Sequence, residues 1–318
     1  MQREVAGSWL LDVAYVGTRG LHLPFMWDPN QPNNPVTPCT TDASGNTSCP
    51  RIYPNFTEMF YTDSSGKSIY HSLQVKVERH YTRGLGIIGA YTYSKAIDTN
   101  STYFGTTGSA NFPENSFDRA AEKGPADFDY RHRFSLAYIY DLPFGKDTLR
   151  SSSHALNGVI GGWQLAGIAM VQSGPPYTAT WSGNPSHNVD GNDRPNLVPG
   201  VSFYPAQQTW QQWTNPAAFS APAPYMFGNA GRDILRAPGE ADWDFSLIRK
   251  FKLAESKTLE FRAEMFNILN SPNFTIPNGD ASCACFGQIG NTVQPIAGQA
   301  SGGPGEPREI QFALRLTW

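Results

Sequence analysis

Eight stretches of the chain alternate apolar and polar side chains with a period of two, the mark of a β-strand with two different environments. The last, residues 309–318, is the cleanest. Ile310, Phe312, Leu314, Leu316 and Trp318 fall on one face, and Glu309, Gln311, Ala313, Arg315 and Thr317 on the other. The same pattern predicts strands at 8–16 (Trp9, Leu11, Val13, Tyr15), 70–81 (Leu73, Val75, Val77), 85–95 (Leu85, Ile87, Tyr91, Tyr93) and 131–142 (Phe134, Leu136, Tyr138, Tyr140). It does so again at 162–174, with an extension toward Trp181 (Trp163, Leu165, Ala169, Val171), at 241–253 (Trp243, Phe245, Leu247, Phe251) and at 257–269 (Leu259, Phe261, Ala263, Met265). Such strands have about the 9–11 residues that a tilted strand needs to cross a bilayer.

The connections between these strands run long, short, long, medium, long, short, long. In an antiparallel arrangement every long connection then lies at one end. A soluble sandwich has no reason to sort its loops so, whereas an outer-membrane barrel has short periplasmic turns and long extracellular loops. Loops beyond about 12–15 residues are also uncommon in compact domains unless they carry function. The predicted fold is all-β: an up-and-down antiparallel transmembrane β-barrel segment of about eight strands, in contact with outer-membrane lipid. Asp129, Arg131, Arg133, Glu260, Arg262, Glu264 and Arg315 are expected to face the lumen. Trp9, Tyr91, Tyr93, Tyr138, Tyr140, Trp163, Trp243 and Trp318 supply candidates for aromatic girdles, or alternatively for the core of a sandwich. Strand phase predicts that Leu314→Arg blocks membrane assembly and that Ala313→Arg is tolerated far better.

Composition narrows the classes. Charged residues are 16% of the 318, against roughly 25% in a soluble domain. A net charge of −3 gives no basic surface for nucleic acid. Mean hydropathy is −0.40, and no run of about 18 apolar residues marks a helical span. Met1 is followed by Gln2, Arg3 and Glu4 rather than by an apolar leader. The expectation is therefore one partial barrel domain over 1–318, without plug or signal peptide. Cys39 and Cys49 bracket a Gly/Ser/Thr/Asn stretch, and a disulfide there is preferred to two unrelated loop thiols. Cys283 and Cys285 are left without a role.

Several segments resemble the C-terminal barrel of TonB-dependent receptors, of the Oar-like branch with a carboxypeptidase-regulatory-like N-terminal domain. They are Asp127-Phe128-Asp129-Tyr130-Arg131-His132-Arg133-Phe134, Leu142-Pro143-Phe144-Gly145, Gly162-Trp163-Gln164-Leu165-Ala166-Gly167 and Phe261-Arg262-Ala263-Glu264-Met265-Phe266-Asn267-Ile268-Leu269-Asn270. Tyr70-His71-Ser72-Leu73-Gln74, Ala90-Tyr91-Thr92-Tyr93-Ser94-Lys95 and Ser173-Gly174-Pro175-Pro176-Tyr177 belong to the same set, in the family's order along nearly the whole chain. The resemblance implies a barrel of about 22 strands with an N-terminal plug. It implies uptake of an oligosaccharide or siderophore-like substrate, driven by the TonB complex. Trp318 resembles the closing aromatic read by the barrel-assembly machinery. About eight strands cannot close so wide a barrel, so the chain is expected to be part of a larger wall.

Catalytic patterns are weak. His71, His80, His132 and His154 are scattered, and no nucleophile elbow, metalloprotease helix or phosphate loop occurs. No enzyme activity, cofactor or metal is expected. Asp127 and Asp129 suit a carboxylate pair or cation site, but pairing with Arg131 and Arg133 near the upper rim is preferred. Asp190-Gly191-Asn192-Asp193 reads better as a turn than as a calcium loop. The loop aromatics Trp181, Trp210, Trp213, Phe219, Tyr225 and Phe227 offer stacking surfaces for a ligand, although packing of loop against loop is preferred. Two functions stay open: a transporter wall with a loop-built vestibule, and a soluble all-β surface or carbohydrate-binding module. A self-contained barrel of eight strands is a third.

Overall fold

The structure, a computed structural model, describes residues 2–5, 8–32, 39–43, 47–56, 59–102, 113–144, 159–186, 193–293 and 307–318. His154 and the first three residues of the Asp190–Asp193 segment lie outside the described residues. Among the described residues nine strands form one antiparallel meander in chain order. They are β1 (Gln2–Val5), β2 (Trp9–Trp27), β3 (Tyr61–Thr82), β4 (Leu85–Asp98), β5 (His132–Asp141), β6 (Trp163–Gln172), β7 (Glu240–Lys252), β8 (Thr258–Phe266) and β9 (Glu309–Thr317). A two-residue strand, Gly124–Pro125, pairs beside the upper end of β4. Among the described residues β1 and β9 each have a single partner, so both edges of the sheet are open.

Directly opposed residues of an antiparallel pair share a face, so the register tests the predicted rows. One line of partners runs Trp9, Arg79, Ile87, Tyr138, Gly167, Phe245, Met265, Ile310 across eight strands. It starts at the first residue of β2 and finishes near the start of β9, the stagger that tilted barrel strands require. Every predicted apolar row falls on this one face. Among the described residues no second layer covers it: Phe312 is 68% and Leu314 71% exposed. Leaving such side chains in water forfeits about 1.5–3 kcal/mol each, so a continuous bare row belongs in hydrocarbon. A sandwich core would have buried it.

The strands are more numerous and longer than the pattern predicts. Gln2–Val5 carries no apolar row and gave no signal. β2 runs past Gly17-Thr18-Arg19-Gly20, which reads as its end, because β3 continues beside it to Tyr61. Register shifts at Gly20/Leu23 and Leu23/Phe25 absorb the irregularity. This upper hairpin is rich in Thr, Ser and Gly and has no alternating pattern to read.

The connections 28–60 (L1), 99–131 (L2), 173–239 (L3) and 267–308 (L4) all leave the same end of the sheet. Between β1 and β2, β3 and β4, β5 and β6, and β7 and β8 the chain turns at the other end. Two arginines sit on the apolar face there. Arg79 lies over the Trp9 ring at 5.5 Å, and Arg249 over Trp163 at 5.2 Å and Phe251 at 4.3 Å. At a membrane border such a guanidinium reaches the headgroups while its stem and the ring stay in lipid.

Candidate functional site

The packed core of the molecule is built by the long connections. Tyr177, Ala179, Ala218, Phe219, Leu235 and Ala237 of L3 bury themselves with Phe286 of L4. Phe219 stacks on Phe203 at 5.6 Å and meets Phe286 edge-on at 5.2 Å. L1 joins through buried polar side chains: Asp28 N–H donates to Ser116 Oγ (3.1 Å), and Gln31 Nε2 to the Glu114 carbonyl (2.9 Å). The four connections thus form one cap.

Among the described residues three ion clusters tie L2 to L3. Arg194 donates from Nε to Glu114 Oε2 (2.8 Å) and from Nη2 to Glu122 Oε1 (2.6 Å), with all three side chains buried. The backbone N–H groups of Arg194 and Gly228 also donate to Glu114 Oε1, at 2.8 and 3.2 Å. Arg232 meets Asp98 at the end of β4, Asp233 at 2.8 Å and Asp127 at 3.6 Å. Asp129, 1% exposed, accepts from Ala96 N–H (2.6 Å), Arg131 Nε (2.7 Å) and Arg236. The anticipated Asp129–Arg131 pair is present, but the second partner is Arg236. The Arg133 guanidinium instead approaches Met170 Sδ at 3.8 Å. Asp129 lies sealed beneath the cap, not on an open wall. Burial pushes the Glu114 carboxyl up to about 7, against the pull of Arg194. Burial likewise raises Asp233 to about 7, against Arg232 and with Asp127 adding to the rise.

Gly228 fits this seam because it has no side chain. A Cβ there would stand 1.9 Å from the Arg194 carbonyl oxygen. Gly228→Ala is expected to cost about 1–3 kcal/mol of local stability through overpacking. Limited chymotrypsin digestion should then cut at Phe227 at least several-fold faster than in the parent chain.

The cap covers the face opposite the apolar row. Ser72, Ser94, Ala96 and Asp98, all on that inner face, are buried near the upper rim. Lower down, the expected polarity holds on one side of the sheet. Glu260 is directly opposite Arg315, and Arg262 binds Glu260 (3.0 Å) and Glu264 (3.3 Å). It fails on β4–β6, where the inner face carries Ile88, Ala137, Ile139, Ala166 and Ile168 in register. Ile168 is 63% exposed. These side chains, with Tyr81, Asp244, Ser246 and Phe266, line an open groove of about 550 Å³.

The aromatic candidates divide. Trp213 is tied in by Nε1 donating to the Arg236 carbonyl (2.7 Å), and Trp181 and Tyr225 are half-buried. Trp210 stands out at 56% exposure. Sequence reasoning missed the turn 53–56, where buried Asn30 holds Tyr53 and Phe56 by their backbones and leaves both rings exposed. Cys39 and Cys49 are disulfide-bonded, as are Cys283 and Cys285. No cluster of metal-ligating side chains occurs among the described residues.

One bare apolar face, one face with polar ladders, and every long connection at a single rim make this an outer-membrane β-barrel wall. The family of outer membrane beta barrel domains matches residues 1–311, and the chain belongs to it. Its place is the outer membrane. No curated protein matches the chain. Among solved structures, three chains match. One is the crystal structure of the outer membrane transporter YddB from Escherichia coli, 13% identical, with a TM-score of 0.43. That alignment covers 99% of this chain and 31% of the transporter.

Proposed function

We propose that the chain is a wall segment of a TonB-dependent, Oar-like transporter, whose four long connections form the vestibule for an oligosaccharide or siderophore-like substrate. In the full-length protein the inner face would meet a plug domain coupled to the TonB complex. The strand ending at Trp318 would be the part read by the barrel-assembly machinery. No catalytic role or cofactor is proposed.

The observation that carries the reading is the apolar strip Ile88–Ala137–Ile168. A water-filled pore is lined by polar residues, and exposed apolar patches mark contact surfaces. An inner wall that is apolar on β4–β6 and charged on β8 and β9 suits a folded occupant better than open water. The open sheet edges agree with a barrel wider than these nine strands. The ordered motifs from Tyr70 to Asn270 support the receptor branch. The reading of a soluble surface module is set aside, because it leaves the row ending at Leu316 without a covering and conflicts with the family.

Photocrosslinking in native outer membranes tests this. A crosslinker replacing Ile168 is expected to capture protein, and one replacing Phe312 to capture lipid. Lipid adducts at both positions would defeat the proposal. Loss of substrate uptake on deletion of TonB is the second expected result, and uptake that persists without TonB would remove the energy coupling from the reading.

A further inference from the structure

We propose that the seam between L2 and L3 is a pH-responsive clasp over the barrel mouth, tightening as the exterior acidifies and loosening as it turns alkaline. The charge balance carries the argument. In one cluster Glu114 and Glu122 share the guanidinium of Arg194, and the backbone N–H groups of Arg194 and Gly228 also donate to Glu114. In the other, Asp98, Asp127 and Asp233 share Arg232, helped by the hydroxyls of Ser101 and Thr178. Among the described residues carboxylates outnumber guanidiniums in both, and nearly all of these groups are buried. A buried excess of negative charge is costly and is relieved by taking up a proton.

Both clusters join the same two connections, so the same pH change acts on both. The sign follows from linkage. Glu114 and Asp233 sit near 7 in the folded chain, above the ordinary values of 4.5 and 3.8. The folded cap therefore binds more protons than the loosened one. Its extra stability is complete below the ordinary carboxylate range and is lost as pH rises through about 7. The third cluster has the opposite balance: Asp129 faces both Arg131 and Arg236. It serves as the tether about which the other two open. Because L2 and L3 lie over Ser94, Ala96 and Asp98, their separation uncovers the inner face. The clasp does not depend on what passes through the barrel.

Hydrogen–deuterium exchange of the full chain, refolded in detergent and corrected for intrinsic rates, tests it. Between about pH 5.5 and 8.5 the amides of Arg194 and Gly228, and that of Asp233, which donates to Thr178, are expected to lose protection by roughly tenfold or more, the loss levelling off above about 7. The Ala96 amide, bound to Asp129, should keep its protection. Glu114→Gln should flatten the profile at Arg194 and Gly228, and Asp233→Asn the profile at Asp233. A flat profile in the unsubstituted chain overturns the proposal. So does a loss of protection shared equally by Ala96, or a pH dependence unchanged in a folded Glu114→Gln or Asp233→Asn chain. Should one variant fail to fold, the unsubstituted profile and the other variant still decide.

Discussion

Leu314→Arg should prevent the chain from reaching its heat-modifiable, membrane-inserted form, while Ala313→Glu, one residue away, should leave assembly near that of the parent. Leu314 lies in the middle of β9 on the bare face, directly opposite Phe261. An arginine there meets hydrocarbon at mid-depth, at a cost of about 2–4 kcal/mol. At about 1.4 kcal/mol per factor of ten, that lowers the assembled fraction by tens- to a thousand-fold. Ala313 is directly opposite Arg262 on the other face, so a glutamate there gains a cation across the strand pair. The structure refines the choice of partner substitution: an arginine at 313 would be placed against Arg262. Arg79 and Arg249 do not weaken the argument, since both sit beside Trp rings at the turn end, where the penalty falls to about 0–1 kcal/mol. Equal assembly of Leu314→Arg and Ala313→Glu chains, read by electrophoretic mobility with and without heating, would refute the facing.

Asp129→Ala should release the cap from the rim without dissolving the sheet. The carboxylate meets two guanidiniums and the Ala96 N–H while almost fully buried. Deleting it strands all three donors, and removing one partner of a buried ion pair costs about 3–5 kcal/mol. Exchange at Ala96 should accelerate by at least two orders of magnitude, with β7–β9 unaffected. Asp129→Asn, which keeps an acceptor for Ala96 and loses the charge, should fall between. Unchanged protection at Ala96 in Asp129→Ala would mean that the cluster does not fasten the cap.

The wall was legible because lipid imposes a simple rule on it. Each strand has to keep one face apolar, and rows such as Phe134–Leu136–Tyr138–Tyr140 write that rule into adjacent residues. Loop lengths then gave the polarity of the sheet. The cap was not legible. Its ties join groups far apart in sequence, such as Glu114 with Arg194 or Asp98 with Arg232, and no periodicity links them. Asp28, Asn30 and Gln31 read as ordinary loop residues, yet they are among the most buried side chains in the molecule. The apolar inner strip escaped for a different reason. Ile88, Ala137 and Ile168 stand out of phase with stronger aromatic and leucine rows. A pattern that assigns one apolar face per strand has no place for a second.

The most direct measurement is the accessibility of spin labels carried singly by the residues from Ile310 to Leu316 in lipid bilayers. Positions 310, 312, 314 and 316 should be relaxed by oxygen dissolved in the hydrocarbon, and positions 311, 313 and 315 by a water-soluble nickel chelate or by neither reagent. A uniform response along β9, or oxygen favouring the odd positions, would contradict a sheet that shows lipid only the Phe312–Leu314 face.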